Sequence, residues 1–225
     1  MSLAGRRVLV SAGPTYEDID PVRFLGNRSS GKMGFAVAAA AAARGAQVVL
    51  VAGPVHLPTP PGVARVDVRS AAQMHAAVLD ALPADVYVGA AAVADYTPRT
   101  VAARKLKKRP GADTLALELV RTADILADVA AHPRRPRLVV GFAAETDELE
   151  HYARDKLVRK RVDLIAANRV GSADCPFERD DNTLHVFAAD GAWTLGPAPK
   201  REVAEALLDL IARRLEADPA TDRSG

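Results

Sequence analysis

The side chains best suited to chemistry gather in one stretch, Ser11 to Gly34, SAGPTYEDIDPVRFLGNRSSGKMG. Asn27 brings an uncharged amide able to hold a carbonyl, and Arg23 a planar charged fork that matches a carboxylate or phosphate. Ser29, Ser30 and Gly31 come just before an alanine-rich run, so either serine can cap a helix there. The free N–H groups of such a first turn, with the helix dipole, favour an anion. Together these residues describe a site for an anionic, carbonyl-bearing substrate. Asp18 and Asp20 can orient the loop or balance Arg23. A plainer account has Pro14, Pro21 and Gly26 shaping a loop and the serines only capping a helix. For any single residue the two accounts stand level; the whole stretch favours a site.

Other sets follow along the chain. Gly89, Ala90, Ala91 and Ala92 lead to Asp95 and Tyr96. Small side chains there let a flat ligand approach the backbone, and Asp95 can accept from a ribose or base, or help hold a metal. Close helix–sheet packing explains the alanines equally well. Lys105, Lys107 and Lys108 form the strongest electrostatic feature. On an alternating strand Lys105 and Lys107 share one face, where they can grip a triphosphate and stabilise departing pyrophosphate. Lysines also protect a solvated edge strand. Ala123, Asp124, Ile125 and Leu126 open a helix whose N–H groups can face triphosphate oxygens. Phe142, in GFAAET, can stack on a base or belong to the core. Lys156 and Lys160 share a helix face by their i,i+4 spacing, ordinarily a solvated one. Cys175 and His185 form no nucleophilic constellation and read as structural or incidental.

The elements that must position these residues alternate between strand and helix. Arg7-Val8-Leu9-Val10 begins a strand over 6–12, and a helix is expected over 30–44 with Gly45 as its C′ residue. The long polar connection between them exceeds the usual strand-to-helix turn of roughly 2–6 residues. In open α/β sheets, ligands bind outside the carboxyl ends of the strands. Further strands are expected at 47–52, 63–68, 85–91, 137–144 and 162–167, the apolar ones matching a parallel sheet. Helices are expected at 71–82, capped by Ser70, at 123–131 and at 147–159. This order predicts an α/β fold: a Rossmann-like, doubly wound, mostly parallel sheet with helices on both faces, its first five strands ordered 3-2-1-4-5. Residues 102–120 alternate across Arg109-Pro110-Gly111 and predict a basic β-hairpin flap. Asp190-Gly191 between alternating runs predicts a C-terminal antiparallel hairpin. A helix over 200–216 ends a single domain of residues 1–216, and 217–225 should fray.

Composition narrows the function classes. The net charge is +2 with 26% charged residues, so the balance does not argue for nucleic acid. One cysteine excludes an intramolecular disulfide and a cysteine-rich zinc site, and fits a reducing cytoplasmic setting. No apolar run is long enough to span a membrane, and the first residues are too brief for a signal peptide.

The run Gly13-Pro14-Thr15-x-Glu17-x-Ile19-Asp20-Pro21-Val22-Arg23-x-x-x-Asn27-x-Ser29-Ser30-Gly31-Lys32-Met33-Gly34 closely resembles the signature of bacterial phosphopantothenoylcysteine synthetases. AAVADY, KLKK and GFAAET follow in the family's order, and the resemblance covers nearly the whole chain. It implies ligation of 4′-phosphopantothenate with L-cysteine. CTP would activate the carboxylate as an acyl-cytidylate, with Mg²⁺ screening the phosphates. The metal ligands stay unassigned. The resemblance implies Asn27 and Lys105 as catalytic residues: Asn27 at the acyl carbonyl during aminolysis and Lys105 on the phosphates. Arg23, Ser29, Ser30, Gly31 and Ala92 would support the acyl substrate. Gly89, Ala90, Ala91, Asp95 and Phe142 would meet the nucleotide, with Ala123 to Leu126, Lys156 and Lys160. The family also implies a homodimer, with the C-terminal hairpin as a candidate contact. Its members are often fused to a flavin-dependent decarboxylase that these residues do not contain, which suits a stand-alone synthetase or an isolated domain. Two other classes compete. A short-chain-type nicotinamide-dependent reductase fits the alternation and a formal Tyr152–Lys156 pair, but G-x-G-x-x-G is missing. A nucleic-acid module would use Arg134-Arg135-Pro136-Arg137 and KLKK, against a near-neutral charge and few aromatics.

Overall fold

The computed structural model describes residues 1–108, 113–171 and 179–217. Its elements are β1 (Arg7–Ala12), β2 (Tyr16–Asp18), β3 (Phe24–Gly26), α1 (Lys32–Ala43), β4 (Gln47–Ala52), β5 (Val63–Asp67), α2 (Ala71–Asp80) and β6 (Val86–Gly89). Then come β7 (Tyr96–Pro98), β8 (Leu119–Arg121), α3 (Ile125–Ala131), β9 (Leu138–Glu145), α4 (Leu149–Lys160), β10 (Leu164–Arg169), β11 (Asp181–Ala188), β12 (Gly191–Pro199) and α5 (Lys200–Ala217).

An eight-stranded sheet runs in the order β12-β11-β10-β9-β6-β1-β4-β5. The six strands from β10 to β5 are parallel, and β11 and β12 extend the sheet as an antiparallel pair. The 3-2-1-4-5 order expected for the first five sheet strands is therefore present. So is the hairpin at Asp190-Gly191. Apolar side chains on the two faces of the sheet make two cores. One holds Val8, Val10 and Val88 under α1 and α5. The other holds Leu9, Tyr87 and Ile165 under α2, α3 and α4. Small residues let α1 press close: a Cβ on Gly34 would lie 2.5 Å from the Ala12 Cβ. Arg44 then ties the end of α1 to α5 through Glu205 and Asp209, both at 2.8 Å. Ser70 and Gln73 make the reciprocal cap of α2.

Two expectations are corrected. Helix α1 starts at Lys32, and its N-cap is Gly31 at φ 74°, not a serine. No side chain caps it; Ser29 Oγ instead accepts from the Gly31 N–H at 3.3 Å. Within the long connection after β1, β2 and β3 pair antiparallel. The antiparallel pair near the basic segment joins 96–98 to 119–121 rather than the two arms beside Pro110. The described arms, 102–108 and 113–118, hold no strand, and the expected turn at 109–112 lies outside the described residues. Cys175 also lies outside them.

The long connection crosses the end of β4 closely. A Cβ on Gly53 would lie 1.7 Å from the Pro14 carbonyl oxygen, a backbone atom with no rotamer to yield. Gly53→Ala must therefore displace the loop. We expect a loss of about 1–3 kcal/mol, in the range of core overpacking. At about 2–4 °C per kcal/mol for a chain of this size, the melting temperature should fall by several degrees in calorimetry.

Candidate active site

The connection after β1 is held as a preformed platform. The Ala92 N–H donates to the Gly13 carbonyl at 2.9 Å. The Ala94 N–H donates to Thr15 Oγ1, also at 2.9 Å. Buried Glu17 accepts from the Ala71 N–H at the start of α2, at 2.8 Å. Asp18 pairs with Arg69 rather than Arg23. The Arg69 guanidinium also lies over Tyr16 and Phe24, whose rings stack at 3.9 Å.

Asp20 is the hub of this platform. Its carboxylate, fully shielded from solvent, accepts from the Val22, Arg23 and Leu106 N–H groups and from the Arg23 guanidinium. The Arg23 bonds, joined by those N–H groups, hold its pKa well below the usual carboxylate range. Arg23 in turn donates to the Leu106 carbonyl at 2.9 Å. Arg23 thus organises the loop and latches the basic segment to it.

Two adjoining cavities open at the carboxyl ends of the strands. The larger, about 710 Å³, lies under β7, β8, α3 and α4. Of the residues expected to meet the nucleotide, Gly89, Ala91, Asp95, Phe142, Lys156 and Lys160 line it, as do Ala123, Asp124, Ile125 and Leu126. The smaller, about 470 Å³, is lined by Asn27, Ser29, Ser30, Gly31, Ala90 and Ala92. Ala91, Val93, Asp95, Phe142 and Lys156 line both. Arg23 and Lys105 line neither; Lys105 is exposed on the segment latched at Leu106.

The polar groups divide between these cavities. Asn27 Nδ2 donates to the Ala92 and Val93 carbonyls, each at 3.1 Å. Both amide protons are so engaged, and Oδ1 is left as an acceptor. The uncapped first turn of α1 borders the same cavity. In the larger cavity Asp124 caps α3 through the Ala127 N–H and accepts from Lys160 Nζ at 2.9 Å. Burial pushes the Asp124 carboxyl up, but the Lys160 and Ala127 bonds outweigh it and hold it below its usual value. Burial lowers the Lys156 pKa, an effect that Glu145 at 3.8 Å only partly offsets. Among the described residues no group of three or more His, Cys, Asp or Glu is placed to hold a metal.

Sequence reasoning missed several lining residues: Ser11 and Tyr87 at the floor, Arg121 and Arg159 in the larger cavity, and Lys32, Asn182 and Lys200 in the smaller. Tyr87 and Ser11 share a buried hydrogen bond of 2.9 Å. Burial, with the Asp124 charge adding to it, pushes the Tyr87 phenol up to about 12 from 10.0, although the Ser11 bond opposes the shift. Its neutral form is therefore favoured in the folded state. The stability this confers is complete below the ordinary phenol pKa and is lost as pH rises through about 12. Absorbance titration should show a tyrosine step near that pH that is missing in Tyr87→Phe.

Comparisons with known proteins fit this geometry. The DNA/pantothenate metabolism flavoprotein C-terminal domain family matches residues 3–215. The coenzyme A biosynthesis bifunctional protein CoaBC of Vibrio cholerae is 51% identical over 214 residues, covering 95% of this chain and 54% of that protein. The CoaBC protein of Escherichia coli K12 is 50% identical over 211 residues, covering 93% and 52%. The chain thus spans about half the length of these relatives. A crystal structure of the C-terminal domain of a CoaBC protein superposes with a TM-score of 0.80 at 40% identity, covering 96% of this chain and 98% of that one. With this sheet order and a profile match across nearly all its residues, the chain belongs to the DNA/pantothenate metabolism flavoprotein C-terminal domain family.

Proposed function

We propose that the chain is the ligase unit of coenzyme A biosynthesis, joining 4′-phosphopantothenate to L-cysteine at the expense of CTP. One observation carries the reading: a cavity with an amide and an open helix N-terminus adjoins a larger one edged by lysines, across five shared residues. The arrangement suits two substrates whose reacting ends must meet.

In the first step a carboxylate oxygen of 4′-phosphopantothenate attacks the α-phosphorus of CTP, and the bond to pyrophosphate breaks. The acyl substrate lies in the smaller cavity, its phosphate at the α1 N-terminus. The nucleotide fills the larger cavity, with Lys156 and Lys160 drawing its phosphates and Phe142 against the base. Lys105 supports the departing pyrophosphate, which requires its segment to move toward the crevice. Mg²⁺ would screen the phosphates when bound. Single carboxylates such as Asp124 and Asp155 suit an ion carried by substrate phosphates rather than a protein cage. In the second step the cysteine amine attacks the acyl carbon, the mixed anhydride opens, and CMP leaves with the amide as product. The sequence suggests Asn27 at the acyl carbonyl, but both Nδ2 protons are taken by the Ala92 and Val93 carbonyls, so Asn27 instead holds the reacting end by its Oδ1, which accepts from the incoming amine.

The unit is proposed to work as a homodimer, beside a flavin-dependent decarboxylase in the longer protein. No helix among the described residues is long and apolar enough to cross a membrane. Tyr152 and Lys156 both line the larger cavity, yet the reductase reading lacks the glycine turn a dinucleotide needs. Mixing the protein with 4′-phosphopantothenate, cysteine, CTP and Mg²⁺ should release pyrophosphate and CMP in equal amounts. No release with CTP or with ATP would reject the proposal.

A further inference from the structure

The floor of the larger cavity carries a polar group that no step above uses. Ser11 on β1 and Tyr87 on β6 are each only 1% exposed, yet both line the cavity. Their oxygens lie 2.9 Å apart. Two hydroxyls bring two protons, and the bond between them uses one. Among the described residues neither hydroxyl has another partner, so one proton is left without an acceptor. A buried donor without an acceptor is costly, and folds keep one where a water or ligand completes it. The phenol is also closely passed by the backbone at Gly89. A Cβ on Gly89 would lie 3.3 Å from the Tyr87 hydroxyl, so a side chain there would crowd the phenol.

The surrounding groups narrow the choice of acceptor. Asp124 already accepts from Lys160 and the Ala127 N–H. Lys156, Lys160, Arg121 and Arg159 supply cations around the same cavity. We infer that the Ser11–Tyr87 hydroxyl pair is a further binding element, donating one hydrogen bond to a phosphate oxygen of the bound nucleoside triphosphate. The inference rests on the ligase reading and adds two phosphate-binding residues from the centre of the sheet. Four carboxylates of the same lining, Asp95, Asp124, Glu145 and Asp155, balance these cations in number, so the choice of a phosphate oxygen rests on the ligase reading and not on a net charge of the cavity.

Calorimetric titration with CTP, CMP and inorganic triphosphate tests it, in Mg²⁺ buffer, on the wild type, Ser11→Ala, Tyr87→Phe and the double variant. The double variant should bind CTP and inorganic triphosphate about tenfold more weakly, the size of one hydrogen bond to a charged group. Each single variant keeps one hydroxyl proton to donate and should stay within about threefold. Melting curves check that each variant folds. Two results would overturn the inference: a double variant that binds CTP as the wild type does, with melting temperatures lowered equally with and without CTP; or weaker CTP binding with inorganic triphosphate unaffected. Failure of the wild type to bind any of the three would instead overturn the ligase reading and carry the inference with it.

Discussion

Asn27→Asp should still release pyrophosphate from CTP, yet form the amide at least about a hundredfold more slowly, so that the acyl-cytidylate accumulates. The expectation follows from where the amide protons go. Asn27 Nδ2 bridges the Ala92 and Val93 carbonyls, fixing the side chain between the long loop and the end of β6. Aspartate keeps the size but replaces those donors with an anionic oxygen facing two carbonyl oxygens, and the arrangement must break. Activation draws on groups in the larger cavity and survives. Aminolysis needs the amine and the acyl carbon held together, and removing one preorganised group of this kind typically costs about 10²–10³ in rate. Rapid quench and mass spectrometry would show the intermediate building up. Product formation at the wild-type rate would remove Asn27 from aminolysis.

Lys105→Gln should fail earlier, with pyrophosphate release itself reduced about 10²–10³-fold, the scale of losing one charge contact in the transition state. The substitution is unusually clean. Its segment is anchored through backbone atoms, by the Ala102 N–H to the Ile19 carbonyl at 3.0 Å and by both sides of the Leu106 peptide to Asp20 and Arg23. Glutamine removes the charge and leaves those anchors alone. Because Lys105 lines neither cavity here, the experiment also decides between two sources of phosphate charge. Normal pyrophosphate release in the variant would transfer the role to Lys156 and Lys160, which already border the crevice.

Much of the frame was legible in the sequence for local reasons. Ser70 with Gln73 three residues on announces the start of α2, and both halves of the reciprocal cap are present. Asp190-Gly191 between alternating runs gives the β11–β12 turn. Continuous apolar runs marked the parallel strands, and their alternation with helices suggested the doubly wound order. What the sequence hid depends on contacts made across distance. Strands β2 and β3 have three residues each, too few to show a period. The partner of Tyr96–Pro98 lies beyond the basic segment, so the Pro-Gly turn signal pointed to the wrong pairing. Arg23 suited by type either an anion or a balancing aspartate, and only the fold shows the pairing with Asp20. Ser29 and Ser30 matched a helix cap in type, but left-handed Gly31 takes that position. The Ser11–Tyr87 pair needed the register of β1 on β6, which places Ser11 opposite Gly89; strand order alone does not give it.

The central claim is that one crevice converts a carboxylate into a mixed anhydride and passes it to an amine, and it is tested most directly by following oxygen. 4′-Phosphopantothenate labelled with ¹⁸O at both carboxylate oxygens would be turned over with CTP and cysteine, and the products weighed by mass spectrometry. Attack of carboxylate oxygen on the α-phosphorus, followed by acyl-carbon cleavage, leaves one label in CMP and the other in the amide carbonyl. CMP free of label would contradict the account.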